Sequence, residues 1–140
     1  MAIVQTVTNV FKTGMLKGSF DFSTETFYIA LYTSLANLNE NTENYTSQNE
    51  VVAVGYSPGG QSLTLSSQPS NLNNVSYITF NNVSWSAAFT ARGALIYKLG
   101  VLGSPGAVCV LDFGSDKTST TTFTVQMPVN TSTSALIRLV

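Results

Sequence analysis

The hexapeptide Phe27-Tyr28-Ile29-Ala30-Leu31-Tyr32 is apolar whichever way it is turned. Read as a strand, it places Phe27, Ile29 and Leu31 on one face and Tyr28, Ala30 and Tyr32 on the other. Neither face suits water, so the strand belongs in the middle of the molecule. Two covers are open to it: an N-terminal helix on one side and a second sheet on the other, or a neighbouring subunit.

Downstream the punctuation is regular. Val51-Val52-Ala53-Val54 leads through Gly55-Tyr56-Ser57-Pro58-Gly59-Gly60, whose Pro and glycines supply turn chemistry, to Leu63-Thr64-Leu65. Further strands are expected at 75–80, 83–85, 91–98, 107–113, 122–127 and 135–140, a spacing that suits a sandwich or barrel. In 122–127 the alternation is clean, with Phe123, Val125 and Met127 inward, and Pro128 ends the ladder because it has no N–H to donate. Asn-Asn-Val-Ser occurs at 73–76 and again at 81–84, too little to define a repeat fold.

Upstream, Ile3, Val7, Val10, Phe11 and Met15 recur at helical spacing, Lys12 and Lys17 fall toward the end where the dipole favours cations, and Gly18 is a stop signal. This predicts an amphipathic helix over 2–17. Residues 36–50 are rich in Asn, Glu, Thr and Ser with no periodicity, and read as a long surface loop; loops of that length in compact domains tend to carry function. The fold class expected is therefore mainly β, a single domain over 1–140: an antiparallel, jelly-roll-like β-sandwich with one N-terminal helix.

Composition narrows the chemistry. The chain has 140 residues, 44% hydrophobic and 9% charged, with six basic against seven acidic residues and a net charge of −1. The apolar runs are too short to span a membrane as helices, and the basic residues are scattered, not clustered as a nucleic-acid footprint requires. Neither membrane nor nucleic acid is expected as a partner. Histidine is absent, which removes the Ser-His and Cys-His nucleophile pairs and the commonest zinc ligand. Cys109, inside Ala107-Val108-Cys109-Val110-Leu111, reads as a small buried hydrophobe. Met1 to Gln5 have neither a positive start nor an apolar core, so no secretory signal is expected. Four glycosylation sequons fall within what an Asn-, Ser- and Thr-rich chain contains by chance.

Asp112, Asp116 and Lys117 form the densest charged group. They read as a strand end followed by a charged turn, Asp116 capping amides and Lys117 balancing it. Arg92 either pairs with Asp112 or Asp116 to fix a corner or faces a neighbouring subunit, the internal role carrying more weight. Trp85 and Phe89 read as core. Tyr45 stands in the loop and Tyr56 at the glycine turn, where an exposed aromatic would add contact area at low entropic cost. Catalytic residues, cofactors and metals are not expected; a carboxylate glycosidase would have only Asp112, Asp116 and Glu50 to draw on.

Five segments, in order, carry a likeness: Ala30-Leu31-Tyr32-Thr33-Ser34; Asn49-Glu50-Val51; Gly55-Tyr56-Ser57-Pro58-Gly59-Gly60; Phe89-Thr90-Ala91-Arg92-Gly93-Ala94; and Asp112-Phe113-Gly114-Ser115-Asp116-Lys117. Together they resemble a family of small bacteriophage virion structural proteins, with departures at Ala53-Val54, Ala88 and Thr122. The resemblance implies a non-enzymatic particle component, assembled in a host cytoplasm and located in the virion. A capsid decoration (cement) protein is the first expectation; a tail, baseplate or fibre-attachment subunit, with receptor or glycan binding through Tyr45, Tyr56 and Trp85, is the alternative. The expected partners are the major capsid protein or other virion subunits and further copies of the chain. Candidate contact residues are Phe11 and Met15 of the helix, Asn44, Tyr45 and Glu50 of the loop, Tyr56 and Arg92.

Overall fold

The computed structural model describes residues 2–99 and 105–140. The chain is mainly β, with antiparallel sheets and one short helix near the N-terminus, in a sandwich-like arrangement. The elements are β1 (Thr6–Val7), α1 (Asn9–Lys17), β2 (Phe27–Tyr32), β3 (Gln61–Leu63), β4 (Ser70–Leu72), β5 (Val75–Ile78), β6 (Val83–Trp85), β7 (Thr90–Tyr97), β8 (Ala107–Thr118), β9 (Phe123–Val125) and β10 (Ile137–Leu139). A five-stranded sheet has the order β1-β8-β7-β2-β3; a three-stranded sheet runs β10-β5-β4, and β6 pairs with β9.

β2 lies where its two apolar faces require. It pairs with β7 from Tyr28↔Tyr97 to Tyr32↔Gly93, and its other edge is taken first by β3 and then by the segment around Glu50. Phe27, Ile29 and Leu31 enter the main core with Ala94, Ile96 and Val108. Ala30 and Tyr32 enter a second cluster with Leu95, Tyr97, Val110, Ile3, Ala36 and Leu38. That second face is covered by the chain itself, by the N-terminal arm and the first part of the 36–50 loop, so no neighbouring subunit is needed to close it. The loop has no regular strand or helix, as expected, but it is a lid over the sheet as well as a surface segment.

The helix is shorter than the 2–17 read from sequence. Ile3, Val4, Thr6 and Val7 are β-branched, and the arm they form is extended: Ile3 bridges Leu38, and Thr6 and Val7 pair with Val110 and Cys109. Thr8 marks the switch. Its hydroxyl accepts from Phe11 N–H at 3.2 Å as the N-cap and donates to the Ala107 carbonyl at 2.9 Å, fixing the helix start to β8. Gly18, at φ +71°, closes the other end, as its sequence position predicted. The helix sinks Phe11 into a ring cluster with Phe20 and Phe22, at centroid distances of 5.0 and 5.8 Å.

Two further readings are corrected. Residues 51–54 do not form a strand; after the bridge at Glu50 they turn, with Ala53 facing Tyr56. Residues 112–117 do not end β8. The strand carries on to Thr118, and between the pairs Gly93↔Asp112 and Ala91↔Lys117 the single residue Arg92 stands opposite residues 113–116, a large bulge. Within it Asp112, not Asp116, accepts the capping amide, from Gly114 at 2.9 Å, and Arg92, not Lys117, supplies the balancing charge. A smaller irregularity between Ile96 and Tyr97 leaves Val108 without an opposite number, which lets Val108 and Cys109 both join the main core.

Candidate functional site

The chain's densest polar construction centres on Glu50, which is only 6% exposed. One carboxylate oxygen, Oε1, accepts from the Tyr45 hydroxyl at 2.5 Å; the other, Oε2, accepts from the Tyr56 hydroxyl at 2.6 Å and from the Gly59 N–H at 2.8 Å. The Tyr56 hydroxyl in turn accepts from Leu31 N–H at 2.8 Å, and the Tyr97 hydroxyl donates to the Gly59 carbonyl at 2.7 Å. Tyr32 donates to the Thr46 carbonyl at 2.6 Å, and the Tyr45 ring stacks on Tyr97 with centroids 5.0 Å apart. Bonds to an ionised acceptor are about twice as strong as neutral ones, so this set pins the loop and the glycine turn to β2 and β7.

The phenols respond to that setting. Burial, reinforced by the negative charge or hydrogen bond of Glu50, pushes Tyr32, Tyr45 and Tyr56 far above the usual phenol range and Tyr97 up to about 12. Burial alone raises the Cys109 thiol to about 12, which leaves it a core hydrophobe with negligible thiolate at neutral pH.

From this anchored base a turn projects. Val51 N–H bonds to the Leu31 carbonyl at 2.9 Å and Tyr56 N–H to the Ala53 carbonyl at 3.1 Å. Between these ties Val52 and Val54 are 96% and 97% exposed. Gly55, at φ +92°, brings the backbone against Ser86 and Ala87, and the Tyr56 ring lies over Trp85 with centroids 5.8 Å apart. Two branched apolar side chains thus stand in water on a backbone that is tied on both sides.

The candidate contact residues separate into groups. Phe11 is core, since its ring fills the space between the helix and Phe20 and Phe22. Glu50 and Tyr56 are buried because each satisfies the other, so both are internal fasteners. Tyr45 is half-buried, its hydroxyl committed to Glu50. Asn44 is exposed but accepts from Gly106 N–H at 3.1 Å, tying the loop to the start of β8. Met15 is half-buried and lines an apolar groove of about 390 Å³ with Phe20, Phe22, Ile78, Ile137 and Leu139. Arg92 takes the internal role, Nε 3.5 Å from Asp112 and Nη1 3.9 Å from Asp116. Trp85 and Phe89 are core, as expected: Phe89 stacks on Phe123 and meets Tyr56 edge-on, and Trp85 meets Phe123 edge-on. The proposed aromatic platform therefore loses Tyr56 and Trp85 to the interior. Val52 and Val54 were missed because valines in a run of four read as strand, and nothing in the sequence marks which of them turn outward.

Among the described residues no three His, Cys, Asp or Glu side chains converge as metal ligands, and no helix is long and apolar enough to cross a membrane. In comparisons with known proteins, no family model, no curated protein and no solved structure matches the chain.

Proposed function

We propose that this chain is a non-catalytic structural subunit of a bacteriophage virion, a decoration (cement) protein that binds the outer capsid shell and strengthens contacts between capsid subunits, acting as one of many copies. The observation that carries this reading is the Val52–Val54 turn: its branched apolar side chains are fully exposed on a backbone that is hydrogen-bonded on both sides, so that part of the ordering cost of docking is met before any partner arrives. Those two side chains contribute no burial to the core, which leaves them free for a docking role.

The carboxylates that an enzyme would need are otherwise engaged, Glu50 by three donors and Asp112 and Asp116 by Arg92. The five segments behind the family resemblance also interlock. Tyr32 bridges Glu50, Glu50 holds the Gly55–Gly60 turn, and the Arg92 segment faces Asp112 and Asp116 across one bulge. A shared sequence pattern of that kind describes a shared scaffold, which supports the resemblance as one of architecture. Symmetric display on a shell would let weak contacts by many copies add up.

The test is the position of the subunit in a density map of the particle. Repeated copies over the shell surface fit the proposal, whereas one ring at a vertex or along a tube assigns the chain to a tail, baseplate or fibre attachment instead.

A further inference from the structure

No Lys or Arg among the described residues neutralises Glu50; the ion pairs there are Arg92 with Asp112 and Asp116 and Lys98 with Glu25. Its charge is held by donors alone: Tyr45 from the loop, and Tyr56 and Gly59 from the glycine turn. The other groups facing it are the phenols of Tyr32 on β2 and Tyr97 on β7, both displaced upward by burial and by its negative charge. Every phenol of the cluster stays neutral in acid, since the ordinary Tyr value is already about 10. Glu50 is the one carboxylate of the cluster.

We propose that Glu50 is a proton-operated latch that fixes the 45–59 segment, and with it the exposed Val52–Val54 turn, and loosens that segment on acidification. The two oxygens are not equivalent. Oε2 faces the Gly59 N–H, a backbone donor that cannot be reversed, so a proton is accommodated on Oε1. The Tyr45 hydroxyl, a donor at present, then accepts, and its own hydrogen turns toward solvent, as its half-buried position allows. A charge-assisted bond becomes a neutral one, and the Tyr56 and Gly59 donors lose the charge that held them. Weaker docking by the loosened turn rests on the assembly reading above; the latch does not.

Amide hydrogen exchange on the full chain at about pH 7 and about pH 3.5, corrected for intrinsic rates, tests it. Protection of the 45–60 amides is expected to fall severalfold at the lower pH relative to β2 and β7, as a charge-assisted set of hydrogen bonds becomes a neutral one. Glu50→Gln, whose carbonyl can serve Tyr56 and Gly59 while its NH2 donates to Tyr45, is expected to show no such step; Glu43→Gln, in the same loop, keeps it. A wild-type ratio equal at both pH values, or a step that survives Glu50→Gln, overturns the latch. Tyr45→Phe is a second reading: it should raise exchange of the segment already at neutral pH, and wild-type protection in that variant would equally overturn it.

Discussion

Gly60 shows how closely single residues are specified. Its φ is +77°, and a Cβ built there would overlap the Ile29 carbonyl on β2, a backbone group with nowhere to move. Gly60→Ala is therefore expected to destabilise the chain by about 3 kcal/mol or more in denaturant titration, at the high end for one added methyl. Gly114, also at positive φ (+82°), has open space around it, and Ala there should cost only the backbone strain, about 1 kcal/mol. The glycines of 55–60 were legible as a turn from sequence, but which of them touches β2 was not, because that depends on a register set by residues thirty positions away. Glu50 was hidden for a related reason: a glutamate in a polar loop looks like surface until the three donors are brought around it by the fold.

The strands were readable in proportion to their apolar content. β2 and β6 were read from sequence at the limits they have in the structure, and β7 lies within a residue of its expected limits at each end, because each carries a periodic apolar signal. β1 and β4 are short and polar or masked by a competing pattern; the helical spacing of Ile3, Val7 and Val10 hid an arm whose β-branched residues prefer an extended chain. A signal for β4 was present in Asn73-Asn74, which sit at φ +54° and +65° in the two-residue hairpin joining Leu72 to Val75. The β8 bulge and the α1 start offer a contrast in energetics. The Arg92 ion pairs are part-exposed and long, so Arg92→Ala is expected to cost under about 1 kcal/mol. Thr8 is fully buried and satisfies donors and acceptors at once, so Thr8→Ala should cost about 2 kcal/mol. Paired urea titrations of the two variants check the ordering; an Arg92 effect larger than that of Thr8 would contradict it.

As a whole molecule the chain encloses both faces of its central sheet, with the main core on one side and the arm-and-loop lid on the other. The raised phenols of Tyr32, Tyr45, Tyr56 and Tyr97 bind protons more tightly in the folded state than unfolded. Their contribution is complete below the ordinary Tyr value of about 10 and is lost as pH rises through that value toward the folded ones. Melting temperature is expected to stay level into mildly alkaline buffer and drop steeply above about pH 10, more steeply than in a Tyr45→Phe variant, which carries one such group fewer. What the fold leaves in water is then informative, and the anchored Val52–Val54 turn is the feature on which the proposed docking role depends. Co-sedimentation with capsids of the phage to which the proposal assigns the chain, comparing wild type with Val52→Asp/Val54→Asp, addresses that proposal directly. Wild type should pellet with the particles while the double variant stays in the supernatant with an unchanged melting temperature; equal pelleting of the two, or wild type left behind, would contradict the account.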